Sequence, residues 1–195
     1  GSLSRGEFAE KKVTIRKERF QWPLAVALVL LLVELGLPSR RIVRGAMIFV
    51  GAILFSASAN AGEYRAYTEN EKALKAFAED RVSEAKDHFS NAQVEDPKSP
   101  ELRFNQGAIH VKEEKYEEAS KVYGEAAEAA RLNQRPEVAA AALYNQGISR
   151  TAKKDLEGAV DSYLAALEEN AHQPNAELEV KIRKNLELLF SAKQS

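Results

Sequence analysis

The chain has 195 residues, 29% of them charged, with a formal net charge of −1, a length that holds one or two domains. The balance hides a split: residues 1–61 carry nine Lys/Arg against four Glu, whereas residues 62–195 carry nineteen Lys/Arg against twenty-five acidic residues. An acidic C-terminal part lacks the basic footprint that nucleic-acid binding needs, and with no cysteine there is no disulfide framework, Cys-based zinc site or thiol nucleophile.

In chain order, residues 1–19 read as the end of a preceding domain or a juxtamembrane segment. The chain begins Gly1-Ser2 rather than with Met, so a fragment or a processed chain is expected. Residues 20–38, FQWPLAVALVLLLVELGLP, predict a transmembrane helix. At 1.5 Å per residue, Phe20 to Leu37 spans about 27 Å, enough for a hydrocarbon core. Trp22 stands where an interfacial anchor belongs, and Glu34 is the one charge.

Residues 40–61, RRIVRGAMIFVGAILFSASANA, read as a second short membrane helix or as a signal-like segment. Arg40, Arg41 and Arg44 precede an apolar run, and small residues of A-x-A type follow it. Either reading puts the arginines in the cytoplasm and the chain after Ala61 outside. The six basic residues of 1–19 argue for the opposite orientation under the positive-inside rule. The signal-like order of 40–61 favours the outside placement.

From residue 62 onward, small and aromatic residues recur at a fixed period. Ala85, Phe89 and Ala92 return 34 residues later as Ala119, Tyr123 and Ala126. Gly107, Ala119, Tyr123 and Ala126 return 40 residues later as Gly147, Ala159, Tyr163 and Ala166. The tetrads Phe104-Asn105-Gln106-Gly107 and Tyr144-Asn145-Gln146-Gly147 share that register. This pattern resembles tetratricopeptide (TPR) repeats, with units at 66–99, 100–139 and 140–173 inside a domain over 62–195. The resemblance implies an all-α fold: N-terminal membrane helical segments followed by a three-repeat solenoid with a capping helix at 175–195. It also implies that Gly107 and Gly147 meet Ala119 and Ala159 where paired helices cross.

Ser99-Pro100 predicts a helix start, with a capping hydroxyl and then Pro at the first helical position. The six extra residues around Ala130–Glu137 predict a longer connection before Pro136. Glu114-Lys115 and Lys154-Asp155 stand where the family has glycine turns. In the cap, Val180, Ile182, Leu186, Leu188, Leu189 and Phe190 are expected to cover the last open face.

No catalytic grouping emerges. His88, His110 and His172 lie apart without metal-ligand spacing, and no phosphate loop or nucleophile elbow occurs. An enzyme, a metal site and a cofactor are not expected. Asn105, Asn145 and Asn185 share one register, with Asn70 one residue short of it. In TPR proteins this position faces the concave groove, so the resemblance implies contacts from these asparagines to a partner's backbone, with Phe104 and Tyr144 beside them. An amide donates and accepts at once, which suits an extended chain. The family's carboxylate clamp for chaperone tails would fall on Asn70, Leu74, Asn105, Ala141 and Asn145. Every cation is missing, so a chaperone-tail receptor is not expected.

Residues 7–34, EFAEKKVTIRKERFQWPLAVALVLLLVE, resemble the end of the von Willebrand factor A domain and the following membrane helix of Bat-type (aerotolerance) proteins. That resemblance implies a membrane-anchored interaction module in a bacterial inner-membrane complex, with other Bat proteins as partners and the TPR part in the periplasm. It adds a genetic link to MoxR-type AAA+ ATPases. The alternatives are a cytoplasm-facing adaptor and a purely structural subunit.

Overall fold

The computed structural model describes residues 62–194. The two expected membrane segments, 20–38 and 40–61, lie outside the described residues. Among those described, no helix is long and apolar enough to cross a membrane.

Seven helices follow one another, with no strand among the described residues. They are α1 (62–78), α2 (Val82–Glu95), α3 (Pro100–Lys112), α4 (Tyr116–Leu132), α5 (Pro136–Ala152), α6 (Leu156–His172) and α7 (Ala176–Gln194). Each helix packs mainly on its chain neighbours, and α3 also touches α5. The result is a TPR-like solenoid of three helix pairs, α1–α2, α3–α4 and α5–α6, closed by α7. The paired helices bury narrow stripes of small and aromatic residues, as at Ala85, Phe89 and Ala92 of α2 and Ala119, Tyr123 and Ala126 of α4. Such spacing puts side chains on one helical face. Helix α5 differs: Val138 to Asn145 is buried without a break, because this helix packs against α4, α6 and α3.

The turns explain how glycine is avoided. Asp80, Glu114, Gln134 and Lys154 adopt φ of 60, 57, 55 and 66°, the left-handed region that ends many helices. At the second of these, the Glu114 N–H donates to the Val111 carbonyl and the Lys115 N–H to the His110 carbonyl. The other three repeat that bond pair at their own positions, so all four are Schellman motifs. The residue after each is already the N-cap of the next helix. At Asp155 the carboxylate also accepts the Gly158 N–H at 3.0 Å.

The six extra residues do not lengthen a loop, contrary to the sequence expectation. Helices α4 and α5 have 17 residues each, against 14 and 13 for α2 and α3. The insertion adds about a turn to each helix, and Ala130, Val138 and Ala139 pack those turns together as a small buried cluster. Helix formers such as Ala, Arg and Leu in this stretch favour that outcome over an open loop. Ser99 caps α3 as expected, its hydroxyl accepting the Leu102 N–H.

The expected α7 contacts need correction. Ile182 and Leu186 are buried and Leu189 is partly buried, joined by Leu178. Val180, Leu188 and Phe190 are instead exposed, at 65, 43 and 50%. A helix packed on one side hides one stripe, and these three lie outside it. Asn175 starts the cap, its side-chain oxygen accepting the Leu178 N–H at 3.1 Å.

Candidate partner-binding site

The two glycines of the tetrads lie against tyrosine rings. A Cβ on Gly107 would lie 2.6 Å from the Tyr123 ring, and one on Gly147 would lie 2.5 Å from the Tyr163 ring. The sequence expectation paired these glycines with Ala119 and Ala159; their nearest neighbours are the tyrosine rings. In each unit the ring then meets the first letter of the tetrad. Phe104 and Tyr123 centroids are 5.5 Å apart, and those of Tyr144 and Tyr163 are 5.8 Å apart. Phe104 and Tyr144 are therefore core residues with little exposed surface.

Each of Asn105, Asn145 and Asn185 has two counterpart positions in the preceding unit: the aromatic of its second helix and the residue before the asparagine register of its first. In the first unit these are Phe89 and Asn70, in the second Tyr123 and Phe104, in the third Tyr163 and Tyr144. Asn105 and Asn185 take a polar partner among these positions. Asn105 donates to Asn70 Oδ1 at 2.9 Å, and both are buried. Asn185 donates to Tyr163 Oη at 3.2 Å and reaches Tyr144 Oη at 3.5 Å.

Asn145 sits beside Tyr123, but Asn145 Oδ1 and Tyr123 Oη are both buried without a hydrogen-bond partner. Burial pushes the Tyr123 phenol well above its usual range, against the opposing influence of Asn145. Burial also pushes the Tyr163 phenol up to about 12, against hydrogen bonding from Thr151 and Asn185.

The six residues singled out in the sequence are thus brought together along one side of the first-helix layer. Asn70 at 1% and Asn145 at 2% exposure present little surface, whereas Asn185 is half-buried. Another row lies three residues beyond the asparagine register: Ala108, Ile148 and Leu188, with Leu74 as the first-unit counterpart. The first three positions along the chain, Leu74, Ala108 and Ile148, are half-buried, and Leu188 is exposed. The signal was available, since Ala108 and Ile148 directly follow the two glycines. Its side chains, unlike the asparagines, carry no polar mark.

Among the described residues, no group of His and acidic side chains could hold a metal ion. Tyr123 and Tyr163, the strongly shifted phenols, belong to the packing just described.

Comparison with solved structures places this arrangement. The N-terminal domain of stress-induced protein-1 (STI-1) from C. elegans is 23% identical with a TM-score of 0.57, the match covering 64% of this chain and 97% of that one. The first TPR domain of human RPAP3 is 26% identical with a TM-score of 0.56, covering 68% and 98%. The first TPR of Spaghetti (RPAP3), bound to the HSP90 peptide SRMEEVD, is 25% identical with a TM-score of 0.56, covering 68% and 96%. The described residues have the fold of a TPR domain. No protein-family model matches the chain, and no curated protein matches it.

Proposed function

We propose that residues 62–195 are a protein-interaction module that takes a partner's segment on the face carrying Leu74, Ala108, Ile148 and Leu188. The observation that carries this reading is that row, apolar and partly exposed at one register position through all three units and the cap. Asn185 supplies the accessible amide, while Asn70, Asn105 and Asn145, with Phe104 and Tyr144, hold the face from behind. TPR domains of similar fold bind peptides, as the Spaghetti domain does with its HSP90 peptide. The clamp positions here offer Asn70, Leu74, Asn105, Ala141 and Asn145, so an acidic chaperone tail finds no cation. A partner with apolar anchors fits better.

The finer reading follows the sequence resemblance. Residues 20–38 and 40–61 anchor the module in a bacterial inner membrane, it faces the periplasm, and other Bat-type proteins are its partners. A reporter fused after Gly62 tests the placement. Alkaline phosphatase activity there supports the periplasmic side, and its absence favours a cytoplasm-facing adaptor, a reading that the basic charge of residues 1–19 already supports. The binding face is tested by co-purification from crosslinked cells. Ile148→Asp is expected to abolish partner capture; because Ile148 also packs against the core, Leu188→Asp, at an exposed position, is the companion variant expected to weaken capture without loss of thermal stability. Retained capture would refute the apolar row. Asn105→Ala with Asn145→Ala, if neutral for both stability and capture, would remove the asparagines from the site.

A further inference from the structure

A second site lies on another side of α3. Gln106 and His110 are one turn apart and, at about 100° per residue, point roughly opposite to Phe104 and Ala108. There α2 and α3 leave a cleft of about 150 Å³, lined by Lys86, Phe89, Ser90, Gln106, Ile109 and His110.

The next junction shows what normally fills this place. Gln146, the counterpart of Gln106, donates to the Ser120 carbonyl at 3.1 Å and accepts from the Ser162 hydroxyl at 3.2 Å. It lies so close over Gly124 that a Cβ there would be 2.6 Å from its Nε2. In the first junction Gly124 is replaced by Ser90 and Ser120 by Lys86. The Ser90 hydroxyl donates to the Lys86 carbonyl at 2.8 Å, so Ser90 occupies the acceptor that Gln106 would use. Gln106 has no hydrogen-bond partner among the described residues, and His110 Nδ1 is buried without one.

The chemistry is that of a donor-lined recess with an apolar floor. Lys86 Nζ bonds Glu113 Oε1 at 3.0 Å, yet an ammonium has three N–H groups and two remain. Glu113 is shared with Lys115 at 2.9 Å and lies 3.9 Å from His110 Nδ1. Two cations therefore flank one carboxylate. Phe89 and Ile109 supply the apolar wall for a short stem. The volume is far below the several hundred Å³ of a cofactor pocket.

We propose that this cleft binds a carboxylate on a short apolar stem, held by Lys86 and the Gln106 amide, with the His110 ring as part of its wall. The carboxylate comes either from a small free acid or from an acidic side chain of a partner protein. This site is independent of the apolar row and stands or falls separately from it.

The test is an NMR titration of the full chain in detergent, following the Gln106 side-chain amide and the His110 ring. The probes are propionate, a blocked pentapeptide of glycines around one glutamate, and its glutamine analogue. The glutamate peptide is expected to bind saturably, with the glutamine analogue at least about tenfold weaker, as a charge-assisted contact requires. Equal binding of propionate identifies a free acid as the source, and binding of the peptide alone identifies a partner side chain. Lys86→Met, at an exposed position, is expected to weaken binding about tenfold. Glu113→Gln removes the competing carboxylate and is expected to strengthen it. Absence of saturable shifts with every probe, equal binding of the glutamine peptide, or an unchanged Lys86→Met affinity would each overturn the proposal.

Discussion

The junction between the first and second units and the junction between the second and third use the same register positions and close differently. At α4–α5 a three-residue link continues directly from a Schellman turn, both helices gain about a turn, and Gln146 fills the space over Gly124. At α2–α3 the link has four residues, α2 ends without the left-handed turn, and Ser90 keeps Gln106 out. The first unit accordingly has its own core, Ala73, Ala76, Ala85 and Phe89, which α3 joins through Ile109. The second and third units share one continuous core with the cap. A repeat pattern thus fixes which helices pair. It does not fix how tightly successive pairs meet, because that depends on residues outside the pattern.

This contrast can be broken by mutation, beginning with the glycines. Gly107→Ala and Gly147→Ala would each drive a Cβ into a buried tyrosine ring. The expected cost is about 1–3 kcal/mol in chemical denaturation, although alanine is the better helix former. The first unit already carries Ala73 at this position against Phe89, so Ala73→Gly is expected to destabilise as well. If both second- and third-unit alanine variants gained stability, the close ring contact would be refuted.

Next in size is Asn105→Ala, expected to cost about 1–3 kcal/mol because it leaves buried Asn70 unsatisfied. Replacing both asparagines with leucine should cost less than the two single changes summed, which a double-mutant cycle would measure. Additive costs would show that the two amides are energetically independent.

Tyr163→Phe and Tyr123→Phe separate the two later interfaces. The first removes an acceptor that Asn185 uses, at a cost of about 1 kcal/mol. The second removes a buried hydroxyl without a hydrogen-bond partner and is expected to be neutral or stabilising. Thermal denaturation of the pair checks the order, and the reverse order would contradict this assignment of asparagine partners.

The mildest effect is expected from acid, and it should fall on the first unit. Glu69, bonded to Lys72 at 2.6 Å and His88 at 2.7 Å, has its pKa lowered from 4.5 to about 2. Lys115 and Lys86 lower that of Glu113 to about 2 as well. A carboxyl held below its unfolded value stabilises the fold above that value, and the contribution is lost as pH falls from 4.5 towards 2. Glu69 ties α1 to α2, and Glu113 ties α2 to the α3–α4 turn. Hydrogen exchange at pH 3 should therefore speed up in α1 and α2 before α5 and α6. Uniform acceleration would show that acid acts elsewhere.

Much of this was legible in the chain itself. The 34- and 40-residue recurrences of small and aromatic residues determine the pairing of helices, since only small side chains let two helices approach and only a fixed period stacks the pairs. Ser99-Pro100 determines where α3 begins, because its cap is local.

The tertiary structure decided what locality could not. Six inserted residues became helix because neighbouring helices could bury the added turns. Non-glycine residues took left-handed turns because two backbone hydrogen bonds hold each one. The asparagines of the tetrads were drawn inward: Asn105 meets the Asn70 amide one unit away, and Asn145 is buried beside Tyr123. Whether a side chain meets a partner or its own neighbour depends on what lies across the interface, and residues 35 or 41 positions apart meet only once the solenoid has formed.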